Sequence, residues 1–409
     1  MNGTSGSRRY AALLFSGIAL ATVIAAAVNT RVDPWRVVGA PWADAAIDPY
    51  RDISASTRTG KAGLIRARDD WQAAIFGSSR VISSLNPQAP GWGDTKVVNL
   101  GMPGAFLFEN IAMAEYFIAN QPAETLLFGI DPGDLTSNLD TRPMGDFMAS
   151  PLNPEGGIDR ELRYIVGLST FEASIETLGL QAKNQPGEYN AHGLRERSGR
   201  GGGAGGKSQL NFIKNRFIDD ARIAPRSPES IHVNAGKARR LEDLMIHCRE
   251  KGIRLVVFLH PNHVLLQAKS ADVSNPASPY ELDLRLLAEM VDRVNQLPGD
   301  APPVEFWDFY SFHPINCEQV RPESGEPGML HHWRDLEHFT KDVGEGMMSL
   351  MMGWPVDDPE LRNYGEVITA ENLERRIAER REAYHAYLDR ELDGDVAWKE
   401  DLIARGVSQ

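Results

Sequence analysis

The chain has 409 residues, 42% of them hydrophobic and 24% charged. That is enough apolar material for one large core with insertions or for two modest domains, and too much for a disordered polymer. The formal net charge of -13 repels phosphate backbones, which makes nucleic acid a poor partner, and it disfavours anionic lipid except where the chain is inserted. The two cysteines, Cys248 and Cys317, show neither CxxC spacing nor the histidine pattern of structural zinc. They read as two buried thiols, with a disulfide as the alternative that an oxidising compartment would permit.

Arg8 and Arg9 precede an uncharged stretch, Tyr10–Val28, rich in Ala, Leu, Ile and Val. As a helix it spans about 28 Å, close to the roughly 30 Å hydrocarbon core of a bilayer. The arginines favour an N-inside orientation, although Arg31 and Arg36 on the far side weaken the bias. A cleaved signal peptide is the competing reading, since Ala25-Ala26-Ala27 offers a small-residue cleavage site. Either way the remainder is exported. Residues 31–70 mix Pro, Asp and Arg without sustained periodicity and read as a stalk or a wrap.

From residue 71 strands and helices alternate. Strands are expected at Gln72–Phe76, Lys96–Asn99 and Thr125–Ile130, with a helix across Ala105–Asn120. After a loose region at about 138–235, regularity returns with a helix at Ala235–Lys251, a strand at Ile253–Leu259, a helix at Tyr280–Gln296, a strand at Val304–Phe309 and a helix near Val343–Met352. This alternation predicts an α/β fold with a parallel sheet of about five strands and crossover helices. The tail, 356–409, is charged and helix-prone from about 369, and is expected to pack by one face on the body or on an envelope protein partner.

Gly201–Ser208 reads GGGAGGKS and matches a phosphate-binding loop literally. That loop needs a buried strand before it, and the preceding Gly193–Ser198 is polar, so the segment is taken as a flexible glycine-rich insertion. A different constellation carries chemistry. Ser79 sits where the first strand breaks into a turn, and such strand ends are where α/β sheets bind ligands. Asp335 and His338 stand three residues apart near the C-terminal end of the fold. A serine becomes a nucleophile when a histidine takes its proton and a carboxylate orients the imidazole. Plainer readings stand beside these: Ser79 as a helix cap, Asp335 and His338 as a surface ion pair, Arg80 as structural, Gly104 as a turn glycine, His331 and His332 as loop residues. His260 and His263 border the same cleft, with no nearby carboxylate pattern that would suggest a metal.

Taken in order, these segments resemble the SGNH (GDSL-like) esterase and acyltransferase superfamily. GSSR at Gly77–Arg80 matches its nucleophile block, NLGMPG at Asn99–Gly104 its glycine block, and DLEH at Asp335–His338 its final block. The resemblance covers roughly 71–135 and 235–350. VDPW at Val32–Trp35 is similar to membrane-anchored members of bacterial envelopes. There are two departures: Ser78 replaces the usual aspartate, and the third block reads Gly129-Ile130-Asp131-Pro132 where the family has asparagine. An ionised Asp131 cannot donate to an oxyanion, so it is protonated, or has another job, or leaves the hole to the Ser79 and Gly104 amides.

The resemblance implies a flavodoxin-like domain at 71–355 with helices on both faces, behind an anchor at 1–30. It implies Ser79 as nucleophile, His338 as base, Asp335 as orienting carboxylate, and no metal or organic cofactor. The expected activity is O-acetyl transfer or deacetylation on an extracytoplasmic glycan or a small acyl ester, from a single-pass protein of the inner membrane. The alternative is a non-catalytic carbohydrate-binding or scaffold component of an envelope polysaccharide machine.

Overall fold

The computed structural model describes residues 3–136, 143–196, 211, 213–218, 231–270, 278–299, 301–320 and 330–407. The glycine-rich stretch 199–206 lies outside them. The chain divides into two compact units, residues 1–69 with 144–197, and residues 70–143 with 198–409.

The first unit begins with α1, Gly3–Val32. Its Ser7–Val32 segment, 26 residues with an 18-residue stretch of mean hydropathy 2.3, is long and apolar enough to cross a membrane. The stretch after it is folded, not a loose stalk. Asp33 accepts the N–H groups of Val37, Val38 and Gly39 through its carboxylate. Arg51 donates from Nε and Nη2 to the Val32 carbonyl at the end of α1, at 3.0 and 2.9 Å. A cation on a helix's terminal carbonyl satisfies an orphan acceptor and complements the helix dipole. Helix α2, Thr57–Arg66, is buried along nearly its whole length. Two helices that the loose sequence pattern did not announce complete the unit: α4, Gly157–Val166, and α5, Leu168–Ala182.

The second unit is built on a six-stranded sheet: β1 Ala73–Phe76, β2 Val97–Asn99, β3 Thr125–Ile130, β4 Arg254–Leu259, β5 Glu305–Asp308 and β6 Glu366–Val367, in the order β2-β1-β3-β4-β5-β6. The first five run parallel. β6 is antiparallel on β5, with Trp307 opposite Val367. Ala73 pairs with both Val97 and Thr125, and Thr125 pairs with Arg254. The central strands are continuous apolar runs because both faces are covered. On one face Phe76 meets Phe128 and Phe117 of α3, Leu107–Asn120, with ring centroids about 6 Å apart. On the other, Ile75, Leu127, Val256 and Phe258 share a core with Val343, Met347 and Met351. Those three come from the helix Lys341–Met352. Alternation along a strand places neighbouring residues on opposite faces. The charged tail forms two helices, Leu373–Arg390 and Asp395–Val407, and packs on this same unit. Ile377 and Tyr387 are buried, Arg376 holds Asp308 at 2.9 Å, and Arg381 holds Glu281 at 2.6 Å. Cys248 and Cys317 are both free thiols, pushed up to about 12 by burial.

The chain leaves β1 for β2 on one side and returns to β3 on the other, so the strand order reverses at β1. The segments beyond the carboxyl ends of β1, β3 and β4 therefore open onto one crevice. Helix Lys341–Met352 closes on it from below through Gly344, where an added Cβ would strike the Ser84 carbonyl. Gly344→Ala is expected to cost about 1–3 kcal/mol in chemical denaturation, because the obstacle is backbone and cannot swing away. An unchanged midpoint would show that this helix is free to shift.

Candidate functional site

Ser79 follows β1 in a run of turns that begins at Ser78. Asn99, fully buried at the end of β2, fixes that run. Its Nδ2 donates to the carbonyls of Val81 at 2.8 Å and Leu85 at 2.9 Å, and its Oδ1 accepts the Gly101 N–H at 3.0 Å. The Met102 N–H donates to the Gly77 carbonyl at 3.0 Å, which ties the glycine block to the serine block. The Asp335–His338 segment is a tight loop closed by the bridge between Trp333 and Phe339, with the Arg334 N–H on the His338 carbonyl at 2.8 Å. Two further bonds staple this loop to the serine turn. Ser84 Oγ donates to the Phe339 carbonyl at 2.7 Å, and Arg334 Nη1 donates to Ser83 Oγ at 2.6 Å.

The result joins Ser79, His338 and Asp335 in a chain. Ser79 Oγ lies 2.7 Å from His338 Nε2, and His338 Nδ1 lies 2.8 Å from Asp335 Oδ2. Asp335 Oδ1 also accepts the backbone N–H groups of Glu337 at 2.7 Å and His338 at 2.8 Å. Burial pushes the Asp335 carboxyl up, but His338 and the two amides outweigh it and hold the group below the ordinary range. An ionised Asp335 commits the Nδ1 proton to itself. Nε2 is then left with its lone pair toward the serine hydroxyl, the arrangement a general base requires. The Ser79 and Gly104 amides donate to no other group among the described residues. Gly104 is exposed and has φ +58°, a left-handed turn that suits glycine.

Asp131 sits at the end of β3 as part of a second network. Its Oδ1 pairs with Arg80 Nε at 3.0 Å and accepts Ser78 Oγ at 3.1 Å. Burial pushes the carboxyl up, and the Arg80 guanidinium outweighs it, so Asp131 is ionised and acts as an acceptor. His260 lies 3.9 Å away and is neutral in ordinary buffers, so Arg80 carries the effect. Arg80 in turn donates to the Pro261 carbonyl at 2.9 Å and to Asn262 Oδ1. The loop beyond Asp131 is held by Asp283, which accepts the Gly133 N–H at 2.6 Å and is pushed up to about 8 by burial.

The structure thus brings Ser79, His338 and Asp335 together and gives Asp131 a counter-ion. Asn99 and Asn262 take positioning roles that the sequence pattern left unassigned, and Arg80, read there as structural, pairs with Asp131. The signal that could have found this pair was Arg80 beside the serine together with an aspartate at the end of β3. His331 and His332 line a separate cavity of about 640 Å³ with His313, Pro314, Glu318 and Glu360, and Ser79 is not in its wall. Among the described residues no three His, Cys, Asp or Glu side chains cluster in a way that could hold a metal ion. Comparison with protein-family models finds no match for this chain, and neither does comparison with curated proteins.

His260 is fully buried beneath the Ser78 turn, against Phe258 and Phe339, where a Cβ on Gly129 would collide with its Nε2. Both ring nitrogens lack hydrogen-bond partners among the described residues, and burial lowers its pKa from 6.5 to about 3. Between those values the unfolded chain binds a proton on this imidazole that the folded chain does not, so stability falls as pH drops through the window. His263, lowered to about 4 by burial, adds to the same slope. Unfolding midpoints measured from pH 6.5 down to 3 should therefore decline less steeply in His260→Gln than in the parent. Parallel curves would contradict the burial account.

Proposed function

We propose that the second unit is a flavodoxin-like domain of the SGNH type and catalyses serine-dependent acyl-ester chemistry. The observation that carries the reading is the hydrogen-bonded chain from Ser79 through His338 to Asp335. Ser79 Oγ attacks the acyl carbon and its proton passes to His338 Nε2. Collapse of the tetrahedral intermediate expels the alcohol, which takes that proton back, and leaves an acyl-Ser79. A water or a second hydroxyl then attacks the acyl carbon and gives its proton to His338; collapse breaks the bond to Ser79 Oγ, which takes that proton back, so water gives hydrolysis and a sugar hydroxyl gives transfer. The amides of Ser79 and Gly104 are suited to the oxyanion, because neither is committed elsewhere among the described residues. Asp131 would repel that oxyanion if its charge were bare. Its pairing with Arg80 offsets the repulsion.

The substrate we propose is an O-acylated glycan outside the cytoplasm. Support comes from the apolar helix Ser7–Val32, from Arg8 and Arg9 ahead of its uncharged stretch, and from the VDPW segment similar to anchored envelope members. The half-exposed Ser79 and the exposed Gly104 suit a bulky acyl carrier. The second reading is a non-catalytic carbohydrate-binding or scaffold role. It is favoured by one observation, the carboxylate at Asp131 where the family places a donor.

The two readings separate in kinetics on a simple acetyl ester. Ser79→Ala and His338→Ala should each lower kcat by on the order of 10⁶-fold, and the double variant should be hardly worse than either, because members of one catalytic unit are not additive. Asp335→Asn should cost about 10⁴-fold, since the imidazole stays but loses its orientation. Acyl chemistry that survives Ser79→Ala would move the site elsewhere. Glycan binding without turnover in the parent would favour the scaffold.

A further inference from the structure

The first unit carries an apolar surface that its own core does not use. In α4, Ile158, Leu162 and Val166 recur at four-residue spacing and are all exposed, Ile158 by 78%. Asp159 and Arg163 border that stripe on one side and Glu161 lies on its other side. In α5, Leu168 is 71% exposed and Ile175 is exposed seven residues further on. A helix with a polar side and a bare apolar side must bury the latter against something.

Its place along α1 indicates what. The exposed part of the apolar helix, up to Ile24, ends where the unit begins to pack on it. The uncharged part, Tyr10 to Ile24, spans about 22 Å of helix, most of one hydrocarbon thickness. One turn further, Asn29 is fully buried. Its Nδ2 donates to the carbonyls of Ile165 at 3.0 Å and Gly167 at 3.2 Å, and its Oδ1 accepts Ser174 Oγ at 3.2 Å. These bonds fix the junction between α4 and α5 at the level where α1 leaves the bilayer core. Trp42 is 59% exposed at the same level, with its indole N–H on Thr30 Oγ1 at 3.1 Å. An exposed indole at that depth is characteristic of the membrane–water boundary.

We propose that the α4–α5 pair lies in the interfacial layer of the membrane that α1 spans, with Ile158, Leu162, Val166, Leu168 and Ile175 in contact with lipid and Trp42 beside them. The α4–α5 junction is held by Asn29 of the spanning helix itself, and this attachment beside the span selects lipid over a soluble partner. A span alone leaves the attached unit free to rotate and tilt. An interfacial helix pair docked rigidly beside it fixes the unit's attitude to the bilayer. The inference stands independently of the chemistry at Ser79.

The test uses the full chain in phosphatidylcholine–phosphatidylglycerol vesicles. Single cysteines at Leu162, Leu168, Val23 and Asp69 carry an environment-sensitive fluorophore, and the unsubstituted chain serves as labelling blank for Cys248 and Cys317. Shallow doxyl-labelled lipid should quench the probes at 162 and 168 at least twofold while aqueous iodide spares them. The probe at 69, an exposed aspartate outside the α4–α5 pair, should show the reverse, and the probe at 23 should be quenched by doxyl lipid. Iodide quenching at 162 and 168 equal to that at 69 would put the face in water and overturn the proposal. So would probes that neither quencher reaches: self-quenching relieved by diluting with unlabelled protein would assign the face to a second copy, and no relief would assign it to burial within the chain. An aqueous probe at 23 would remove the span and the proposal with it.

Discussion

A parallel sheet brings distant residues together only at its strand ends, and here the strand order reverses at β1. Everything in the candidate site depends on that reversal. It opens the ends of β1, β3 and β4 onto one crevice, so Ser79, Asp131 and His260 become neighbours without any long-range sequence signal. The fourth participant, His338, comes from 259 residues away and needs its own fastening. It is supplied by bonds from Ser84 to the Phe339 carbonyl and from Arg334 to Ser83, and by the close approach at Gly344.

Two carboxylates at this crevice are both held in the ionised form, by different partners and with different consequences. Asp335 is surrounded by N–H donors, two from the backbone and one from the imidazole. Its charge orients His338 and stabilises it once protonated. Asp131 faces a guanidinium, so its charge is spent within the Arg80 pair and reaches the rest of the crevice weakened. The carboxylate of Asp131 is therefore one half of a local ion pair and not a bare charge facing the serine. An asparagine there would leave the buried Arg80 short of its charge partner, at the cost that unpaired buried charges carry.

Much of the framework was legible in the sequence. The strands at 73–76, 125–130 and 254–259 are continuous apolar runs that end in turn residues, and the pattern placed each within a residue of its boundary. The spacing of Asp335 and His338 was readable because one loop carries both. Less was visible where meaning depends on tertiary neighbours. β6 is two residues long and exists only by pairing with β5. Helices α4 and α5 present a bare apolar face to their surroundings, so their periodicity does not look like that of a core element. The partnership of Arg80 with Asp131 crosses from β1 to β3, and Asn99 exerts its hold through main-chain carbonyls that no side-chain pattern records. The segment behind the anchor looked irregular for a similar reason. Its order comes from Asp33 and Arg51 gripping backbone groups, not from hydrophobic repetition.

The account's central claim is that Ser79 is a nucleophile activated by His338. Treatment of the intact protein with a fluorophosphonate, followed by peptide mass spectrometry, reads this directly, because the reagent phosphonylates a serine only when a base has activated it. The account predicts one adduct, on Ser79, lost in His338→Ala although the serine is still present. An unmodified Ser79 in the folded parent, or labelling there that persists undiminished in His338→Ala, would contradict it.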